Sequence, residues 1–318
     1  MPDAQPDIVF SVDKLTRRFG DLTAVEDLSF SIYRGEVFGF LGPNGAGKTT
    51  AMRMMCGLLK PHDGSIEING QPLNGGDWKG LRCIGVCPQA ITIWETMTCR
   101  EQLEFMGRMY DLDWKSARRR SRELLDVFGL QDKTDRLGRT LSGGMQRRLN
   151  IALALVHDPE ILFLDEPQAG LDPQSRILVR EYLKTLSGKT TVVLTTHDME
   201  EAEKISDRVC IIDGGKKLVL DTVETIKGDM GQGDLFAIEI SEDLERDLIP
   251  HLPERLEESK SFYIVDRTLN LVSDQAVDIL PGILQTIKDQ GLHLESLRIR
   301  KKTLEDVFIR LTGRGLRE

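Results

Sequence analysis

Nowhere in the chain do about 18 apolar residues run together, the minimum that a helix needs to cross a bilayer. No membrane span is therefore expected, and any work at a membrane has to come through a partner. A basic excess is missing as well. Asp and Glu number 51 against 42 Lys and Arg, and the formal net charge of -9 argues against a general nucleic-acid binder. Cysteine is sparse: Cys56, Cys83, Cys87, Cys99 and Cys210 are scattered, and no Cys/His cluster matches Cys83-x-x-x-Cys87 to complete a metal site. They read as reduced, mostly buried thiols of a cytosolic protein. Met1 to Asp7 is polar and Pro-rich, without the basic-then-apolar order of a secretion signal. What is left is a chain of 318 residues, long enough to bury a sizeable core and to divide into two domains.

What the chain does have is Gly42-Pro43-Asn44-Gly45-Ala46-Gly47-Lys48-Thr49-Thr50, a phosphate-binding loop of the form G-x-x-x-x-G-K-[ST]. The apolar run Glu36 to Leu41 before it reads as a buried strand, and Ala51 to Met55 after it as a helix. Glycines at 42, 45 and 47 let successive N–H groups face one point, where the helix N-terminus adds partial positive charge. The product is a cradle for triphosphate. Lys48 would supply charge to the β- and γ-phosphates, and Thr49 a hydroxyl to Mg²⁺.

Residues 8–41 read as β-rich, with strands at Ile8 to Leu15 and Leu28 to Tyr33 and turn signals at Gly20-Asp21 and Arg34-Gly35. Ser65 to Ile68 and Ile84 to Val86 are short strands, and Asn69-Gly70 is a tight-turn dipeptide. From about residue 95 to 160 the pattern turns helical, with helices led by Glu101 to Met106, over Ser116 to Phe128 and over Gly143 to Val156. Arg118-Arg119-Arg120, followed by Glu123 and Asp126, reads as a solvated helix face rather than a phosphate patch. Ile161 to Leu164, Thr190 to Thr195 and Val209 to Ile212 suit buried parallel strands. A hairpin at Gly214-Gly215 follows, then a linker-like stretch from Gly228 to Asp234, after which residues 235–318 predict a small α+β domain.

A second anion site is predicted at Leu141-Ser142-Gly143-Gly144-Met145-Gln146, where small residues again open N–H groups at a helix start. Here the sequence resembles the ATP-binding subunits of ABC transporters, whose signature is LSGGQ; Met145 at the fifth position is similar to the LSGGM variant of exporter branches. Ile161 to Glu166 resembles the family's Walker B strand, which implies Asp165 near the Mg²⁺ shell and Glu166 as base or polariser of the attacking water. Gln89 is similar to the Q-loop glutamine, reaching Mg²⁺ and the γ-phosphate side, and His197 to the switch histidine. Ala169 to Asp172 resembles the D-loop, with Asp172 shaping a partner site, although Gln168 departs from the usual Thr or Ser. Phe19 matches the aromatic position that stacks on adenine; core packing is the alternative for it. Leu304 to Gly313 looks like the tail of the multidrug, daunorubicin-resistance and sodium-export branch. Its apolar stripe, Leu304, Val307, Phe308 and Leu311, must bury against its own domain or a twin subunit.

The resemblance implies an α/β fold: a P-loop ABC ATPase core with a mixed sheet, an antiparallel β subdomain and a helical subdomain at about 90–160, within a domain over 1–228. A small C-terminal α+β domain would take 229–318. It also implies ATP and Mg²⁺ as ligands, a head-to-tail dimer that encloses ATP, hydrolysis that reopens it, and a separate polytopic membrane permease. The place of work would be the inner face of the cell membrane, with export as the task. The rival class is the non-transport ABC ATPases. DNA-repair members separate the two phosphate loops with coiled coils, whereas Lys48 and Ser142 lie fewer than about 100 residues apart with no heptad run; translation factors carry two cassettes, and this chain has one.

Overall fold

The computed structural model describes residues 7–73, 80–240, 262–265, 267–273, 276–289 and 292–313. The chain divides into two compact units, Met1–Val219 and Leu220–Glu318. This division falls before the Gly228 to Asp234 stretch that the sequence marks as a linker, so the short helix Val223–Gly228 goes with the second unit.

In the first unit β1 (Ile8–Phe19) and β2 (Leu22–Tyr33) form a long hairpin around the expected Gly20-Asp21 turn. Both strands run further than the alternation predicts. Register shifts interrupt the pairing between Val12 and Leu15 and between Leu15 and Arg17, and Lys14 and Asp27 take φ values of 50° and 48°. Such bulges break the period-2 pattern by which a strand is recognised. The β1 edge also pairs with β4 (Asp63–Ile68), which turns through Asn69-Gly70 into β5 (Gln71–Pro72), giving an antiparallel sheet of order β2-β1-β4-β5.

The second sheet is built from β3 (Val37–Leu41), β6 (Ile84–Cys87), β7 (Ile161–Asp165), β8 (Thr191–Thr196), β9 (Arg208–Asp213) and β10 (Lys216–Thr222), in the order β10-β9-β3-β8-β7-β6. From β9 to β6 the neighbours are parallel. Every residue of β3, β7 and β8 is buried, as continuous apolar runs in a covered parallel sheet require. Register aligns the strand ends. Leu41 pairs with Thr196 and Asp165 with Thr195, so β3, β7 and β8 all end on one edge and release their loops side by side.

The helices read from the periodicity, after the phosphate loop and between about 95 and 160, are all present. α1 (Lys48–Met55) follows the phosphate loop; α2 (Cys99–Met109) starts on a Thr98–Glu101 capping box and α3 (Trp114–Val127) on an Asp113 cap. On α3, Arg119 and Arg120 pair with Glu123 at 3.7 and 3.5 Å, as expected of a solvated face. α4 (Gly143–Leu155) buries Ile151 to Leu155 in the core and crosses β6 so closely that a Cβ on Gly85 would lie 2.2 Å from the Ala154 carbonyl oxygen. α5 (Pro173–Leu186) and α6 (Met199–Ile205) complete the unit.

In the second unit α7 (Val223–Gly228) precedes β11 (Asp234–Ile240), β12 (Phe262–Val265), β13 (Thr268–Ser273), α8 (Ala276–Asp289), β14 (Leu294–Arg300) and α9 (Leu304–Thr312). The sheet, β12-β13-β11-β14, is antiparallel throughout, and Phe236, Ile238, Leu269 and Leu271 pack on Ile283 and Ile287 of α8. Leu304, Val307 and Phe308 are buried within this single chain, and Leu311 is 49% exposed. Three of the four stripe residues are thus covered by the chain's own fold.

Candidate functional site

The chain leaves β3 at Leu41 and turns through Gly42, Pro43, Asn44, Gly45 and Ala46 to Gly47, the N-cap of α1. Gly47 has φ 102°, and a Cβ there would stand 2.3 Å from the Ala24 carbonyl oxygen; the loop lies this close to β2 because the residue is glycine. At its centre the Lys48 ammonium donates to the carbonyls of Gly42 at 2.6 Å and Pro43 at 3.0 Å, 3.9 Å from Glu166 Oε1. Burial pulls the Lys48 pKa down, against the attraction of Glu166 and Asp165. A triphosphate would add countercharge at closer range than the Glu166 carboxylate, 3.9 Å away.

Phe19, Asn44, Gly45, Gly47, Lys48, Thr49, Thr50, Gln89 and Glu166 line one cleft with Gly214 and Gly215. Phe19 is 47% exposed there, so it is not a core residue; the Arg17 guanidinium lies over its ring at 4.9 Å.

Behind the cleft Asp165 closes β7. Its Oδ1 accepts from Thr195 Oγ1 on β8 and, at 3.4 Å, from Thr49 Oγ1 on α1. Glu166 comes next with φ 50°, a left-handed conformation that costs a non-glycine residue about 1–2 kcal/mol. Its N–H donates to both the carbonyl and the hydroxyl of Thr195 at 3.1 Å, and His197 Nδ1 stands 2.9 Å from Oε1. The carboxylate is thus tethered at both its backbone and its side chain. Thr49, Asp165 and the Gln89 amide offer neutral and anionic oxygens, the donor set that Mg²⁺ prefers. Among the described residues no group of three His, Cys, Asp or Glu could hold an ion by itself. Such a donor set fits a magnesium ion that arrives with phosphate oxygens.

The remaining expected residues lie together elsewhere. Ser142 caps α4, its Oγ accepting from Met145 N–H at 3.3 Å, and Gly143 faces open space. A Cβ on Gly144 would sit 3.6 Å from Asp172 Oδ1. Asp172 caps α5, accepting from Ser175 Oγ at 2.7 Å and Ser175 N–H at 3.1 Å, and these bonds hold its carboxyl below the usual range. None of Ser142, Gly143, Gly144 and Asp172 lines the phosphate cleft. Met145, at the position where the signature departs, is partly buried and packs against the hydrophobic core. Gln168 carries a buried amide with no hydrogen-bond partner among the described residues.

One residue escapes the sequence reading. Arg147, within the helix expected over Gly143 to Val156, is 2% exposed and reaches the backbone under Gln89 and Glu166. The sign available was its place on the α4 face shared with Ile151 and Ala154, an apolar stripe at i+4 and i+7.

Comparison with known proteins agrees with this geometry. The family profile described as ABC transporter matches residues 25–169. Over 322 residues the chain is 39% identical to the Nod factor export ATP-binding protein I of Ralstonia nicotianae, covering 98% of this chain and 95% of that one. It is 36% identical to the daunorubicin resistance ATP-binding protein DrrA3 of Streptomyces coeruleorubidus, with 96% of each covered. With the linearmycin resistance ATP-binding protein LnrL of Bacillus subtilis the identity is 35%, over 98% of this chain and all (100%) of the other. Among solved structures, one described as an ATP-binding subunit of an ABC transporter superposes with a TM-score of 0.65 at 29% identity, over 70% of this chain and 93% of that one. A phosphate loop, a tethered Glu166 and a separate Ser142–Gly144 loop, in a chain related along nearly its whole length to such subunits, leave one assignment: this chain belongs to the ATP-binding, ATP-hydrolysing subunits of ABC transporters.

Proposed function

We propose that the chain powers an exporter as a head-to-tail pair, each nucleotide held between the phosphate cleft of one copy and the Ser142–Gly144 loop of the other. The observation that carries this reading is the separation within one chain: a helix-capping loop with Ser142 and Gly143 exposed and Gly144 half-buried contributes nothing to the phosphate cleft of its own chain, although its helix start offers N–H groups to an anion. The names of the relatives, which speak of export and of drug resistance, support the direction of transport.

In this reading Lys48 and the loop N–H groups bind the β- and γ-phosphates, and Phe19 stacks on adenine. Thr49 and Asp165, with Gln89, would hold Mg²⁺, which supplies charge neutralisation across the phosphates. Glu166 would orient and polarise the attacking water, while His197, whose Nδ1 stands 2.9 Å from Oε1, would donate to the γ-phosphate. Hydrolysis removes the bridge and opens the pair, and a polytopic permease at the inner face of the membrane takes up the movement through the helical segment from Gln89 to Met106. Among the described residues no helix is long and apolar enough to cross a membrane, so the transport path belongs to that partner.

The test is to isolate the native chain in mild detergent and identify its companions by mass spectrometry. A polytopic membrane protein is the expected companion. Ribosomes, DNA or soluble proteins alone would overturn the transport reading. Glu166→Gln is expected to trap an ATP-bound pair with little turnover, and full hydrolysis by that variant would remove Glu166 from its role.

A further inference from the structure

α4 begins at the Ser142–Gly144 loop and, one turn later, sends the Arg147 guanidinium into the core, where the residue is 2% exposed. Nη1 donates to the carbonyls of Pro88 at 2.8 Å and Gln89 at 2.9 Å. Nη2 donates to those of Asp165 at 2.6 Å and Glu166 at 2.5 Å, and Nε to that of Pro167 at 3.3 Å. Every one of these partners is a backbone carbonyl. They lie at or just past the ends of β6 and β7, where the sheet ladder stops and buried carbonyls need another donor.

We infer that Arg147 is a positioning residue for ATP hydrolysis: its guanidinium clamps the backbone beneath Gln89 and Glu166 to the helix that carries the Ser142–Gly144 loop. The inference rests on the roles given above to Glu166 and Gln89. Its physical basis is the planar fork, which presents donors in fixed directions to two segments at once. Lysine carries one freely rotating ammonium and cannot hold five carbonyls in this pattern. The residue most in need of such a hold is Glu166, whose φ of 50° turns its carbonyl away from ordinary strand geometry. With Nη2 on that carbonyl and Thr195 on its N–H, the peptide groups on both sides of Glu166 are fixed. The same guanidinium group holds the carbonyl of Gln89, so the two functional side chains share one support. Because that support is rooted in α4, a shift of the Ser142–Gly144 loop would reach Glu166 through a single side chain.

A merely structural arginine would change stability without selecting the chemical step. The test is therefore a kinetic split in the full-length chain, with Arg147→Lys and Arg147→Gln compared for melting temperature, ATP dissociation constant and kcat. Misplacing a reacting group by about 1 Å costs about 100-fold, so kcat is expected to fall by about that factor. ATP affinity, set by the phosphate loop and Phe19, should stay within about threefold. A double-mutant cycle supplies the decisive readout: in a Glu166→Gln background, Arg147→Gln should lower the single-turnover rate by about tenfold at most, because one of the two groups it positions has already lost its function and only the support of Gln89 is left to lose. Unchanged kcat in folded Arg147 variants would overturn the inference, as would the same 100-fold loss repeated in the Glu166→Gln background. Loss of folding in both Arg147 variants would assign the residue to stability alone. Full turnover by Glu166→Gln by itself would instead overturn the role of Glu166 and is read from a separate sample.

Discussion

Replacing Gly47 by alanine places a methyl group 2.3 Å from the Ala24 carbonyl oxygen and asks a β-carbon to sit at a φ of 102°. The backbone conformation costs about 1–2 kcal/mol. The overlap with β2, a strand held by β1 along its length, adds an overpacking penalty of about 1–3 kcal/mol. The sum, about 2–5 kcal/mol, corresponds to a melting temperature lowered by about 4–20 °C at about 2–4 °C per kcal/mol for a unit of this size. Gly45→Ala is the internal control. Gly45 has φ 83° but nothing within 4 Å of its Cβ position, so only the backbone cost applies, and the loss should be about 2–8 °C. Thermal unfolding of wild type and both variants, first without nucleotide and then with saturating Mg-ATP, measures both effects. At 100 times Kd the wild type should gain about 2.7 kcal/mol, hence about 5–11 °C, and Gly47→Ala should gain none because its cradle has moved. Equal melting of the two variants without nucleotide would refute the steric argument, and an undiminished ATP shift in Gly47→Ala would refute the role of the close approach.

Phe19→Ala should weaken ATP binding by about threefold to tenfold while leaving pyrophosphate binding unchanged, since the exposed ring serves the base alone; equal losses for both ligands in a titration would contradict this. Asp306, 2% exposed at its side chain, is pushed up by burial, but hydrogen bonds from Arg300 and Thr303 outweigh that and hold its carboxyl below the usual 3.8. Its stabilising contribution is therefore present above pH 3.8 and is lost as pH falls through the depressed value. Arg300 is partly exposed, so Asp306→Asn should cost about 1–2 kcal/mol at neutral pH, and the gap to wild type should close in acid; a gap independent of pH in melting experiments would overturn this. Burial pushes the thiols of Cys87 and Cys210 up to about 11 and about 12, and Cys56 further in the same direction. A thiol reagent at neutral pH should therefore label the native protein at Cys83 alone, the half-buried one, and labelling of two or more sites before unfolding would contradict the packing.

The phosphate loop, the Asp165-Glu166 strand end and the Ser142–Gly144 loop were legible because each is local: a glycine pattern, an apolar run, a helix start. The helices over 99–127 were legible for the same reason, since their periodicity and caps lie within a dozen residues. Strand extents were less so. β1 reaches Phe19 and β2 begins at Leu22, yet the bulges near Lys14 and Asp27 hide the alternation on which a strand reading depends. The cap role of Asp172 has a local sign too, Asp172-Pro173 ahead of a helical pattern, whereas the family likeness points only to a partner site. Arg147 was hidden for a deeper reason. Its partners come from segments about 20 and 60 residues away, and no composition or period carries information about carbonyls that a distant strand end leaves unpaired.

The order of strands also has a meaning for biosynthesis. β3 lies between β8 and β9, and neither of its neighbours exists until roughly 150 residues after Leu41 have been made, about 8–30 s of translation at ordinary rates. The antiparallel sheet of β1, β2 and β4 can close soon after Ile68 emerges, but the Val37–Leu41 segment and the loop it carries must wait in a nascent chain without either edge partner. An apolar strand held open for that time is a natural client for a ribosome-associated chaperone. Slow codons or ribosome stalling between Leu41 and Thr191 would then lower the yield of active subunit without changing a single residue of it.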